Sequence, residues 1–338
     1  MFEGKKVLIT GGSGSLGRAL TKRLLEENVQ SIRIFSRNEF KQIEMQNDFE
    51  NDSRLRFLIG DVRDRDRLFR AMEDVNIVFH TAALKHVPVV EFNPFEAIQT
   101  NVVGSQNVID ASHRENVELS IGIGTDKAVS PVNVYGATKL LTEKLFVTAQ
   151  NYVDPKKYQT KFLALRYGNV LGSSGSVLPL FIKQILNHKK ITITHPEMTR
   201  FTILMEDALD FIISSVKESK GTETFVPKLK AYNIMDLKDA ITSLIGDCEF
   251  EVTKIRSGER MNEILLNKAE MSYAISNEKK FILFQPELFT SLATSYPNYT
   301  PIDNPYEYSS DATQKLSVEE LKELIKKSGL LNSFQNNI

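Results

Sequence analysis

Short apolar runs alternate with longer stretches of helical period through the first half of the chain. Val7-Leu8-Ile9-Thr10 predicts a buried strand, and Leu16, Leu20, Leu24 and Leu25 recur on one face of a helix over 16–25. Further strands are expected at 32–35, 55–59, 77–80, 119–123 and 162–165, and further helices over 94–113 and 134–150. Strand, helix, strand in this rhythm predicts an α/β fold, a parallel sheet with helices on both faces. Past Gly168 the rhythm breaks. A polar turn, Gly172-Ser-Ser-Gly-Ser176, leads to a short strand at 191–194, loops and mixed helices. A return to the sheet is expected near 201–216, an irregular arm over 295–311, and a late helix over 317–327 whose Ser317 and Glu320 have capping-box spacing.

Composition narrows the class. With 338 residues, 41% hydrophobic and 25% charged, the chain can bury a sizeable core without metal or disulfide. Lys and Arg total 42 against 43 Asp and Glu, so no global field favours nucleic acid or an acidic membrane, and any anion site is local. The single cysteine, Cys248, rules out an internal disulfide and a zinc cluster. No stretch reaches the roughly 18 apolar residues of a membrane span, and Met1-Phe-Glu-Gly-Lys-Lys runs straight into the first strand. A soluble cytoplasmic protein is the expectation.

Gly11, Gly14 and Gly17 sit between the first strand and the first helix, where a tight turn can approach a pyrophosphate and the helix N-terminus offers free N–H groups. This context predicts a Rossmann-type, doubly wound dinucleotide-binding sheet. The second strand ends Phe35-Ser36-Arg37-Asn38, with Lys41 one turn on. A ribose-binding carboxylate is missing there and a guanidinium stands in its place, which favours NADP over NAD. Asp61-Val62 would lie near the adenine edge. Tyr135 and Lys139 share a helix face at i, i+4. A neighbouring ammonium would favour the phenolate, making Tyr135 a base for a sugar hydroxyl while hydride leaves for the cofactor.

Together with Thr125 these motifs resemble the extended short-chain dehydrogenase/reductase family. Thr125-Asp126-Lys127-Ala128 resembles its nucleotide-sugar 4,6-dehydratases. The runs Ala82-Ala-Leu-Lys85-His86-Val-Pro88, Arg166-Tyr-Gly-Asn169-Val170, Met198-Thr-Arg200-Phe201 and Arg256-Ser-Gly258-Glu259 are similar to those of the inverting UDP-N-acetylglucosamine 4,6-dehydratases, which open pseudaminic acid synthesis and have relatives in capsule and glycan synthesis. The resemblance spans about residues 4–265. Departures are Gly124 where serine is usual and Thr81 where alanine is common. Tyr135 is kept where one capsule-type branch carries methionine, and Lys127 stands where retaining enzymes have Glu.

The resemblance implies oxidation at sugar carbon 4 by Tyr135 and NADP, water loss across carbons 5 and 6, and return of hydride to carbon 6. The product would be UDP-2-acetamido-2,6-dideoxy-β-L-arabino-hex-4-ulose. Lys127 would be the carbon 5 base, Asp126 the acid at carbon 6, and Thr125 the partner of the carbon 4 oxygen. Lys127 must then be neutral, so its pKa is expected to fall through burial and through Lys139, and that of Asp126 to rise. The pair could also rest as a plain ion pair, the lesser alternative.

The expected cofactor shell is Gly11, Ser13, Gly14, Ser15, Leu16, Gly17, Ser36, Arg37, Asn38, Lys41, Asp61, Val62, Ala82, Lys85, Tyr135, Lys139 and Val170. The substrate shell is Lys85, Thr125, Asn169, Arg200, Arg256 and Glu259, the two arginines on the diphosphate and Glu259 on the uridine ribose. Residues 1–170 with about 201–218 would form the cofactor domain. Residues 171–200 and 219–338 would form a smaller mixed α/β substrate lobe and C-terminal arm. A homo-oligomer is expected. A retaining dehydratase, a UDP-sugar 4-epimerase and a non-catalytic NADP-binding scaffold stay open as alternatives.

Overall fold

A computed structural model describes residues 1–331 apart from Tyr152 and Ser174, so part of the Gly172–Ser176 turn and residues 332–338 of the arm lie outside the described residues. The first six strands are β1 (Lys6–Thr10), β2 (Ser31–Ser36), β3 (Leu55–Ile59), β4 (Ile77–His80), β5 (Leu119–Ile123) and β6 (Lys161–Leu165). They pair in parallel in the order β3-β2-β1-β4-β5-β6. The order reverses between β1 and β4, which opens a crevice at the carboxyl ends of the strands.

The chain returns to this sheet later than the sequence suggests. Residues 205–218 form a helix, Met205–Glu218, packed on the sheet, and the joining strand is Thr224–Pro227, parallel to β6. The apolar period of 205–216 is helical, and the short strand beyond it carries no signal of its own. Lys280–Leu283, Ala274–Ser276 and Thr300–Pro301 then add an antiparallel edge, making ten strands among the described residues.

Both sheet faces are covered. Leu20 and Leu24 from the first helix, with Phe211 and Ile212 from the helix Met205–Glu218, pack on Val7, Ile9, Ile34 and Phe79. Leu68, Val108, Ile109 and Phe146 pack on Leu8, Phe35 and Val78 from the other side. Alternate residues of β1 thus enter different cores, as a two-sided strand requires. A third core holds the smaller lobe together: Leu178, Phe181 and Ile182 meet Tyr232, Leu237 and Ile241, closed by Leu321 and Ile325 of the late helix. That helix runs Val318–Lys327 and starts with the expected reciprocal cap between Ser317 and Glu320. The predicted helix over 94–113 is interrupted by a wider turn at Ile98–Val103. No helix among the described residues is long and apolar enough to cross a membrane.

Candidate functional site

The glycine turn has the shape its spacing implies. Gly11 lies at φ +68, and a Cβ on Gly17 would stand 2.4 Å from the Gly12 carbonyl oxygen. The helix Ser15–Glu26 starts at Gly14 with no side-chain cap, at the turn where a helix N-terminus can meet an anion. Ser13 donates to Ser36 across 2.9 Å, holding the turn against the end of β2. Beyond it Arg37, Asn38 and Lys41 are exposed. Asn38 spends its side chain capping the next helix, and Arg37 lies 3.8 Å from Asp61, which Arg63 also holds. These residues fit a dinucleotide whose phosphates meet the turn and whose adenosine end meets Arg37 and Lys41.

A cleft of about 560 Å³ opens beside this crevice, lined from the sheet by Lys85, Thr125, Lys127, Tyr135, Asn169 and Val170, and from the lobe by Arg200, Arg256, Glu259 and Glu263. Thr125 ends the loop after β5 and caps the single turn Asp126–Ala128. Its hydroxyl donates to Asp126 Oδ1 at 2.9 Å. The helix Val134–Thr148, capped by Asn133, carries Tyr135 and Lys139. A Cβ on Gly136 would sit 2.2 Å from the Lys127 carbonyl oxygen, so glycine is what lets this helix approach the Asp126–Ala128 turn.

Lys127 departs from the electrostatic expectation. Its Nζ donates to Asp126 Oδ1 at 3.0 Å and Asn169 Oδ1 at 3.2 Å, and pairs with Glu263 Oε1 at 3.2 Å. Burial alone would pull its pKa down, but the two carboxylates overcome that and hold it above the ordinary lysine value. The sequence-based reading lacked Glu263, which arrives from the loop before the strand Ile264–Leu266. Asp126 is raised, as expected, by burial and by Glu263.

Lys139 also differs. Its Nζ donates to the Ile123 carbonyl at 2.5 Å, and burial lowers its pKa to about 8. The cation acting on Tyr135 is Lys127. Burial dominates and pushes the phenol up to about 12, against the charge of Lys127 and the hydrogen bond shared with Thr125.

On the lobe side, Arg200 directs its guanidinium at the carbonyls of Thr199, Met261 and Arg260. Arg256 is exposed, and Glu259 accepts from Thr194 at 3.2 Å. Among the described residues, several buried polar atoms without a hydrogen-bond partner border this cleft: Ser176 Oγ, Thr202 Oγ1, Arg260 Nη1, Glu263 Oε2 and, beneath them, Asp126 Oδ2. Such atoms are rare in folded proteins, and their clustering marks a surface built to meet a polar ligand.

Three contributors escaped the sequence reading. Glu263 is one. Asn101, in the wide turn, bonds both backbone groups of Leu84 and the Thr138 hydroxyl, tying the Lys85 loop to the Tyr135 helix. Arg166 is fully buried and grips Glu143 and Glu270. Its place in a recognisable run was visible, but its partners were not.

The profile of a family described as polysaccharide biosynthesis proteins matches residues 7–285. A Campylobacter jejuni protein named UDP-N-acetylglucosamine 4,6-dehydratase (inverting) is 44% identical over 336 residues, covering 96% of this chain and 98% of that one. A Rickettsia prowazekii protein named UDP-glucose 4-epimerase is 38% identical, covering 96% of both. The X-ray structure of Pen from Bacillus thuringiensis superposes with a TM-score of 0.88 at 37% identity, over 96% of this chain and 99% of that one. With likeness of this extent in sequence and in fold, the chain belongs to the polysaccharide biosynthesis protein family and to the extended short-chain dehydrogenases/reductases.

Proposed function

We propose that the protein is a UDP-N-acetylglucosamine 4,6-dehydratase that inverts carbon 5, working with NADP. The observation that carries this reading is the Asp126–Lys127 pair at 3.0 Å, in which Lys127 lines the cleft beside Tyr135 and Asp126 is buried directly beneath it. An enzyme that only oxidises and reduces carbon 4 has no use for a second acid and base. The name of the Campylobacter jejuni relative agrees. The Rickettsia prowazekii name supports epimerisation as the second reading, since both reactions begin with oxidation at carbon 4.

Bound NADP would supply the hydride acceptor and return the hydride to carbon 6. Gly11, Gly14, Gly17 and the open helix end would cradle its pyrophosphate, and Arg37 with Lys41 would take the 2′-phosphate. Tyr135, a phenol raised to about 12 by burial, must first release its own proton to solvent, which the charge of Lys127 and a bound, positively charged nicotinamide ring would favour; the phenolate then removes the carbon 4 hydroxyl proton, with Thr125 holding that oxygen. The ketone acidifies carbon 5. Passing one proton from the Lys127 ammonium to Asp126 produces the neutral amine and the carboxylic acid together, with no change in net charge. Lys127 then takes the carbon 5 proton while Asp126 protonates the departing carbon 6 hydroxyl, and as hydride would return to carbon 6 a solvent-derived proton would reach carbon 5 on the opposite face, completing the inversion. Exposed Arg256 serves the diphosphate and Glu259 the ribose, while Arg200, expected on the diphosphate as well, spends its guanidinium on three backbone carbonyls and lines the cleft with Asn169 and Lys85.

We also propose a homo-oligomer joined through the helices around Tyr135. Phe92 is 90% exposed, Phe95 65% and Val89 59%, with Val132 and Leu141 nearby. Exposed aromatic side chains grouped on neighbouring helices support an interface there.

Proton NMR with UDP-N-acetylglucosamine in deuterated water tests the function. A 6-deoxy-4-keto sugar of L-arabino configuration with deuterium at carbon 5 is expected. The D-xylo ketone throughout would overturn inversion, and an unlabelled carbon 4 epimer would replace the dehydratase with the epimerase.

A further inference from the structure

Glu263 is 3% exposed, yet it belongs to no element of the cofactor domain. Its backbone is clamped on both sides by Ser310 of the arm: Glu263 N donates to Ser310 Oγ at 2.9 Å, and Ser310 N donates to the Glu263 carbonyl at 2.8 Å. Ser310 is in turn held by Thr199 at 2.6 Å. From this fixed base the side chain crosses to the sheet edge and meets Lys127 Nζ at 3.2 Å, with Arg200 Nε at 3.7 Å on its flank. Its second oxygen is buried without a partner. The charged and titratable groups facing it are Lys127 and Asp126 from the turn after β5, Arg200 from Thr199–Ile203, Tyr232 from Ala231–Asn233, and Arg260 from its own loop.

A carboxylate so placed does two things. Lys127 Nζ has three donors, and Asp126, Asn169 and Glu263 accept from three sides, so its direction is set before a sugar arrives. Glu263 also raises both members of the Asp126–Lys127 pair, which keeps their shared proton from leaving to water while still letting it pass between them. We propose that Glu263 is a positioning residue for the elimination: a carboxylate delivered by the substrate-side lobe that aims Lys127 Nζ and confines the working proton to the Asp126–Lys127 pair. The proposal rests on the dehydratase reading for its role, though the hold on Lys127 can be judged without it.

Lys127 is probed by competitive acetylation of the NADP-loaded enzyme at alkaline pH, read by peptide mass spectrometry, since only the neutral amine reacts. Glu263→Gln keeps the shape and removes the charge. Labelling of Lys127 should rise about tenfold or more relative to exposed Lys189, because loss of a close opposite charge moves a pKa by about one to three units. Glu263→Asp, which keeps the charge but withdraws it by a methylene, should give a smaller rise of about threefold, and it carries the test alone if the Gln variant does not fold. Wild-type labelling in a folded variant overturns the proposal.

Single-turnover absorbance with UDP-N-acetylglucosamine then places the effect. Reduced nicotinamide should form at the wild-type rate in Glu263→Gln and disappear about tenfold more slowly, with the pH optimum moved to lower pH. Equal slowing of both phases overturns the assignment to elimination. A wild-type enzyme that makes no keto sugar overturns the dehydratase reading, and the labelling still decides whether Glu263 governs Lys127.

Discussion

Replacing Arg166 by Leu removes a buried cation and leaves two carboxylates facing its place. Five hydrogen bonds go with it: Nε and Nη2 to Glu143 at 3.0 and 2.5 Å, Nη1 and Nη2 to Glu270 at 3.0 and 2.8 Å, and Nη1 to the Leu265 carbonyl at 2.8 Å. Adding these bonds would overstate the loss, because the stranded carboxylates escape by taking up protons. Glu143, whose side chain is 1% exposed, keeps within reach only the charge of Lys139, a lysine that burial lowers to about 8 and that is therefore partly neutral near this pH. Holding a carboxyl of ordinary pKa about 4.3 protonated at pH 7.5 costs about 4.4 kcal/mol. Glu270 is partly exposed and keeps the Asn267 N–H at 3.1 Å, so it adds less.

A loss of about 4–5 kcal/mol at pH 7.5 is therefore expected, within the range for breaking a buried pair from one side. The sign with pH follows. The folded variant binds a proton that its unfolded chain releases above the ordinary carboxyl pKa, so the deficit shrinks as pH falls, to about 1.6 kcal/mol for Glu143 at pH 5.5. Wild type behaves oppositely: Arg166 holds Glu270 below its ordinary value, so that stabilisation is present at neutral pH and is lost only as pH falls through the lowered pKa. The chain has no tryptophan, so urea unfolding is followed by far-UV circular dichroism at both pH values. A deficit below about 1 kcal/mol at pH 7.5, or one equal at the two pH values, would refute this reasoning. Adding Glu143→Leu to the variant should recover much of the loss.

Other expectations concern the site. Lys127→Ala should keep the fold and abolish dehydration, and full turnover on UDP-N-acetylglucosamine would remove Lys127 from the mechanism. Arg37→Ala should weaken NADP about tenfold or more while leaving NAD nearly unchanged, measured by fluorescence titration of the reduced cofactors; equal losses would show that Arg37 does not meet the 2′-phosphate. Gly136→Ala would ordinarily favour a helix by about 1 kcal/mol, but here its Cβ would strike the Lys127 carbonyl at 2.2 Å. Lower stability and a large fall in kcat are expected; a stabilised, active variant contradicts the close approach. Burial holds Lys139 at about 8, below its unfolded value near 10.4. Between those values the unfolded chain binds the extra proton, so stability rises with pH, and Lys139→Met should flatten that rise in urea titrations.

The sequence by itself determined the parts whose physics is local. β1 follows from a continuous apolar run and the first helix from apolar positions of period 3.6, the crevice follows from glycines between them, and Tyr135 faces with Lys139 because both ride one helix. The late helix and its Ser317–Glu320 cap are local in the same way. The antiparallel edge of the sheet was not legible, because strands of two to four residues such as Ala274–Ser276 carry too few positions to show a period. The charge state of Lys127 was decided only in three dimensions. Asp126 adjoins it in the chain, but Glu263 and Asn169 come from distant segments brought to the same sheet edge. Likewise the partners of Arg166 lie on a helix before it and on the short helix Lys268–Met271 far after it. Electrostatic work at a buried group depends on separations of a few ångströms between residues far apart in sequence, and the chain order holds no record of those distances until the fold closes.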